Sequence, residues 1–247
     1  MDVLKLKDFL DYKYVSNLKA NQHNNRLAFV LGKADEEKNE YRYELCTIKD
    51  DKLKKHLNLK KNSSFIWEND NTLLFPYAKN KKEEKLEKEY FYSFYRYYID
   101  DQKLEPAFVS TIPIQMIKAL DKDQIVVKAF LTPDEHHLYI DDGDMRKEFL
   151  KKQKKAKLYE DITEIPFYSN GNGFIANKRE QLFIYNKSTN GFDLIVNPNF
   201  NVDQVVISND LKHVYYIGKK ARHVRSLTSQ LYVYHVESKS TEILYQK

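Results

Sequence analysis

Cysteine is almost missing from this sequence. One residue, Cys46, in 247 excludes an internal disulfide and a cysteine-based zinc site, and it fits a reducing, cytoplasmic setting. Cys46 lies in the alternating run "YELCTI" and is expected as a buried structural thiol. Glycine is scarce too, with six in all. Only Gly171 and Gly173 come close together, in "EIPFYSNGNGFIANKREQLFIYN" (Glu164–Asn186). A phosphate-cradling loop would need those glycines to follow a buried strand and open a helix. The flanking residues read instead as strand, loop, strand, so the pair is expected to let the backbone turn sharply.

Long apolar runs are absent as well. None approaches the ~18–20 residues that span a bilayer. The opening "MDVLKLKDFLDYKYVSN" has no uninterrupted apolar core of the kind a signal peptide carries. No Gly-x-Ser-x-Gly occurs, so the exposed nucleophile of an α/β-hydrolase is not found in these residues. Strand–helix alternation is lacking, which argues against a dinucleotide-binding fold. The Asp-box pattern of many sialidases does not occur either.

What is present points to sheets. Aromatic residues make up 14% of the chain, with 19 Tyr and 14 Phe. They and the frequent β-branched residues suit a pleated, half-buried surface. Charged residues reach 31% and the net charge is +5. The excess is mostly lysine, in "KNKKEEKLEK" (Lys79–Lys88) and "RKEFLKKQKKAK" (Arg146–Lys157). Both runs read as solvated helix or loop. The second leaves open contact with RNA or an acidic partner.

Leu4, Leu6, Phe9 and Leu10 predict a short N-terminal helix. Beyond it, strand-like hairpins recur. "QLFIYNKSTNGFDLI" (Gln181–Ile195) and "QLYVYHVESKSTEIL" (Gln230–Leu244) share Gln-Leu-aromatic-aliphatic-Tyr, a polar turn and an apolar strand. "YELCTIKDDKLKKHL" (Tyr43–Leu57) is a looser third member. Self-similarity every ~40–50 residues with about four strands per unit is the mark of a β-propeller. The expected fold is therefore all-β: an incomplete propeller of about four to five four-stranded blades. The blades are expected at 15–60, 61–110, 111–160, 161–200 and 201–247, with a Lys-rich helical insert.

Several stretches resemble the propeller of the prolyl-oligopeptidase family of serine peptidases, in its acylaminoacyl-peptidase-like branch. "LKDFLDYKYVSN" (Leu6–Asn17), "NQHNNRLAFV" (Asn21–Val30) and "SSFIWENDNTLLFPYA" (Ser63–Ala78), with Trp67 on the family tryptophan, resemble its first two blades. "IPFYSNGNGF" followed by "REQLFIYN" is the sharpest match, and "SNDLKHVYYIG" (Ser208–Gly218) resembles the hairpin after it. The family's Ser-Pro-Asp-Gly turns have become "QHNN", "ENDN" and "SNDL", which still suit turns because Asn and Asp tolerate left-handed backbone.

The resemblance implies a non-catalytic propeller, a fragment of a longer enzyme, that gates peptide access to a downstream hydrolase domain bearing a Ser-Asp-His triad. Peptides and that domain would be its partners. A stand-alone interaction scaffold is the alternative. No catalytic, cofactor or metal residues are expected here. His136 and His137, adjacent at the start of His136–Asp144, which reads as a strand into a turn, would point to opposite faces, and His213, His223 and His235 are scattered. Neither a membrane nor a nucleic acid is expected as partner. An uncovered terminal blade face predicts self-association.

Overall fold

The computed structural model describes residues 5, 7–21, 23–139, 143–155, 162–169, 173–221 and 226–246. Two compact units emerge: residues 1–84 with 93–109, and residues 85–92 with 110–247.

The first unit opens with a 3-10 turn, Asp8–Asp11, where the short N-terminal helix was expected. Its first sheet runs in chain order through β1 (Lys13–Ala20), β2 (Leu27–Asp35), β3 (Glu40–Lys49) and β4 (Lys52–Leu59). The second sheet does the same with β5 (Ile66–Trp67), β6 (Thr72–Pro76), β7 (Tyr92–Tyr98) and β8 (Lys103–Ser110). A short helix, α1 (Lys81–Glu87), interrupts it at the first lysine run. Ala28, Val30 and Leu45 from one sheet share a core with Leu73, Phe75 and Tyr97 from the next. His56 sits beside it, with Thr47 Oγ1 2.7 Å from Nε2 and the Tyr97 hydroxyl 3.3 Å from Nδ1. Burial, then the nearby Lys54 and Arg26 charges, pull its pKa down to about 4, so the ring stays neutral at physiological pH.

The second unit holds a third sheet of β9 (Ile114–Ala119), β10 (Gln124–Leu131), β13 (Arg179–Asn186) and β14 (Gly191–Leu194). Between β10 and β13 the chain makes a long excursion. It contains a 3-10 turn (Pro133–Leu138), α2 (Gly143–Lys155) and the small hairpin β11 (Tyr168–Ser169)–β12 (Gly173–Phe174). The fourth sheet is β15 (Phe200–Ile207), β16 (His213–Lys220), β17 (Gln230–His235) and β18 (Ser240–Tyr245), again in chain order. The architecture is thus all-β, an incomplete β-propeller of four-stranded blades, four of them among the described residues.

Two expectations need correction. The boundary drawn between 111–160 and 161–200 does not separate two sheets, because β10 pairs with β13 from Gln124↔Asn186 to Leu131↔Arg179. The strands expected just before Arg179 belong to the excursion, and only a pairing across some fifty residues shows it. His136–Asp144, expected as a strand into a turn, begins instead inside a 3-10 turn that runs to Leu138, and its last residues, from Gly143, open α2. Pro133 fixes φ directly after β10, and the Glu135 carboxylate accepts the Thr132 N–H at 2.9 Å, which closes the turn. Residues 140–142 of that stretch lie outside the described residues.

The third and fourth sheets share one apolar layer. Val126, Leu182 and Ile184 of the third meet Val202, Val214, Tyr216 and Tyr232 of the fourth. Tyr216 and Tyr232 stack with ring centroids 5.1 Å apart, and Phe200 meets Tyr232 edge-on at 5.0 Å.

Tight turns join the first two strands of each blade, and Asn and Asp hold them. Asn21 N donates to the Arg26 carbonyl at 2.8 Å, and the Asn21 side chain accepts the His23 N–H at 2.9 Å. Asp121 accepts the N–H groups of Asp123 and Gln124 at 2.7 and 2.6 Å. At the corresponding turn of the fourth blade, Asp210 accepts the Lys212 N–H at 3.0 Å, while Leu211 has φ of +60°. A leucine there is strained, because Cβ crowds the backbone in left-handed geometry. Replacing Leu211 with Gly is expected to raise thermal stability by about 1 kcal/mol. Gly218 predicts the opposite sign. A Cβ there would overlap the Asn201 carbonyl oxygen and the Phe200 ring. Gly218→Ala is expected to cost about 1–3 kcal/mol. Thermal melts of the two variants check both signs.

Candidate functional site

A cleft of about 460 Å³ opens in the second unit where the base of the excursion meets the third and fourth blades. Extended backbone sends alternate side chains to alternate faces. Lys128 and Phe130 therefore reach the cleft from β10, and Asn201 and Asp203 from β15. Ile165 and Pro166 from the sequence-flagged segment complete one wall.

Charge in the cleft is paired carefully. Arg179 and Glu164 form a two-pronged ion pair, Nη1–Oε1 2.8 Å and Nη2–Oε2 2.7 Å. Their side chains are 11% and 12% exposed, so the pair is largely desolvated. Glu164 also accepts the Asn177 N–H at 2.7 Å. One carboxylate thereby ties both ends of the segment Glu164–Asn177 to the start of β13. Lys128 pairs with Glu180 at 2.5 Å, and Lys219 approaches Asp203 at 3.5 Å. Asp203 further accepts the Ser229 hydroxyl at 3.0 Å.

Within the excursion lies a second polar group. Glu135 is buried, and burial raises its carboxyl pKa despite hydrogen bonding to Thr132 and Tyr90. Arg146, the first residue of the basic run, donates to the Leu138, Glu89 and Tyr90 carbonyls at 3.1, 2.8 and 2.8 Å. Its guanidinium carbon lies 4.0 Å from the centroid of the Phe91 ring. Arg146 therefore anchors α2, while Lys147, Lys151, Lys152, Lys154 and Lys155 stay on its exposed or partly exposed surface.

The other residues singled out by sequence separate. Cys46 is fully buried in β3, and burial, then Glu44, push its thiol pKa up, which suits a structural thiol. Gly173, the first residue of β12, has φ of +68°, a left-handed backbone that glycine adopts without strain. Gly171 and His223 lie outside the described residues, as does the His136 side chain. His213 and His235 pair across β16 and β17 with rings 5.0 Å apart, an adjacency that spacing alone did not reveal. Among the described residues no group of three or more His, Cys, Asp or Glu is placed to hold a metal ion. No helix among them is long and apolar enough to cross a membrane.

No family model and no curated protein matches this sequence. Solved structures do match its fold. An acylaminoacyl peptidase from Pyrococcus horikoshii superposes with a TM-score of 0.62 at 13% identity, over 98% of this chain and 34% of that one. A puromycin-hydrolyzing peptidase from Mycobacterium tuberculosis gives 0.52 at 9% identity, over 94% and 29%. A putative TolB from Agrobacterium tumefaciens gives 0.51 at 9%, over 94% and 65%. The chain spans about a third of the length of the acylaminoacyl peptidase structures it matches. At these identities the likeness is one of fold.

The Arg179–Glu164 pair yields a direct test. Glu164→Gln leaves a largely buried guanidinium without its counter-charge and is expected to cost about 3–5 kcal/mol. Urea denaturation followed by tyrosine fluorescence measures it. A cost under about 0.5 kcal/mol would mean that the pair does not hold the excursion.

Proposed function

We propose that this chain is the propeller part of a serine peptidase of the prolyl-oligopeptidase family, and that it gates peptide access to a hydrolase domain carried elsewhere in the parent enzyme. One observation carries the reading: 98% of the chain superposes on about a third of an acylaminoacyl peptidase. The sequence resemblance points the same way, most sharply through "IPFYSNGNGF". No Gly-x-Ser-x-Gly occurs in these 247 residues, so the chemistry belongs to another segment. A propeller over the active site acts by steric exclusion, and it keeps water from the developing oxyanion. Short peptides reach the serine and folded proteins do not.

A second reading is a propeller that serves as an interaction scaffold. Ile165, Phe167, Tyr168 and Phe174 favour it, because they stand exposed around the β11–β12 hairpin. On either reading the isolated chain is proposed to self-associate. Val206 and Ile217 are exposed on the fourth blade, and Ile243, Leu244 and Tyr245 are exposed on its outer strand β18.

A fluorophosphonate probe, which labels activated serines, separates the two readings. The peptidase reading expects the 247-residue chain to remain unlabelled and the full product of the native gene to be labelled. Deleting the propeller from that product should let it cleave a folded protein. An unlabelled full product with no associated serine hydrolase would overturn the peptidase reading. Light scattering tests self-association; a monomer at tens of micromolar (roughly) contradicts it.

A further inference from the structure

His56 stands where the first two blades of the first unit meet, at the irregular step in the β3–β4 pairing between Leu45↔Leu57 and Cys46↔Lys55. Its ring meets the ring of Tyr97, from β7 of the next blade, edge-on with centroids 5.4 Å apart. Both ring nitrogens are engaged, Nε2 by the Thr47 hydroxyl at 2.7 Å and Nδ1 by the Tyr97 hydroxyl at 3.3 Å. Thr47 and Tyr97 are 4% and 1% exposed, and neither hydroxyl has a further hydrogen-bond partner among the described residues.

These contacts suit only the neutral ring. Neutral imidazole carries one N–H and one acceptor nitrogen, so one hydroxyl accepts from it and the other donates to it. Imidazolium carries two N–H groups and no acceptor. The donating hydroxyl must then turn its proton into the core, and a buried donor left unsatisfied is costly. Charge opposes protonation as well. The titratable groups that face His56 are Tyr97, Lys54 of β4, Arg26 beside β2 and Asp100 after β7. Asp100, the one carboxylate among them, already accepts from Arg26 Nη2 at 2.9 Å. Arg26 is 8% exposed, and its Nη1 has no hydrogen-bond partner among the described residues. An imidazolium would add a second cation beside an incompletely paired one.

We propose that His56 is an acid-sensitive latch between the first and second blades: neutral, it ties β3 and β4 to β7, and on taking up a proton it loosens that contact. The latch lies wholly in the first unit and stands apart from the peptidase reading. Burial, then Lys54 and Arg26, hold the folded pKa at about 4 against an ordinary 6.5. A histidine whose pKa is lowered on folding contributes its full stability above the unfolded pKa, about 6.5, and loses it as pH falls toward the folded value.

Two measurements on the whole 247-residue chain test this. The first follows the His56 ring by NMR from pH 7 to 5, assigned through its contact with Tyr97. The ring should stay neutral in the folded protein over that range, and titration near pH 6.5 overturns the proposal. The second is native-state hydrogen exchange at pH 7 and at pH 5, corrected for the pH dependence of chemical exchange. Protection in β4 and β7 should fall about tenfold or more at pH 5, while β10 and β13 of the second unit keep theirs. In His56→Gln, whose amide keeps a donor and an acceptor but takes up no proton, the fall should be under about twofold. No fall in the wild type, an undiminished fall in the variant, or an equal fall in β10 and β13 overturns the proposal. The ring titration and the wild-type exchange need no variant, so the proposal stays open to refutation even if His56→Gln does not fold.

Discussion

Everything in the second unit depends on the apolar layer between the third and fourth blades. A four-stranded antiparallel sheet has two faces and cannot bury both by itself. Val126, Leu182 and Ile184 on one sheet and Val202, Val214 and Tyr216 on the next solve this by covering one another. Each such side chain contributes about 1.5–3 kcal/mol when fully buried. That exceeds what any single surface ion pair in the chain supplies. The first unit repeats the solution with Val30, Leu45, Leu73 and Phe75.

The stacked pair of sheets then acts as a platform. A long excursion can leave between the second and third strands of the third blade without loosening it, because β10 and β13 remain paired over eight residues each. The excursion returns to the platform at charged points. Glu164 holds Arg179 at the start of β13 together with the Asn177 N–H, while Arg146 fastens α2 to the Glu89 and Tyr90 carbonyls that precede β7.

Much of the fold was legible. The kinship of Gln181–Ile195 with Gln230–Leu244 marks the third and fourth strands of two blades, and the structure places them as β13–β14 and β17–β18. The Asn and Asp turns were legible because their side chains bond the adjacent backbone, a local effect. The excursion was misread because its strand-like residues, such as those around Phe167 and Phe174, carry the same alternation as a blade strand. Which strand pairs with which is a non-local fact. The cleft was hidden for the same reason: Lys128, Glu164, Arg179 and Asp203 are far apart in sequence and come together only when β10 pairs with β13 and the fourth blade packs on the third. Pro133 was the one available clue that the His136–Asp144 stretch does not continue as strand.

The central claim is that the third and fourth blades stand or fall through their shared layer. Native-state hydrogen exchange of Leu182→Ala tests it most directly. Leu182 is fully buried in β13, yet the account predicts that its truncation lowers protection by a similar free energy in β10 and in β16, the blade it does not belong to. Loss of protection confined to β9, β10, β13 and β14, with β16 and β17 unchanged, would contradict it.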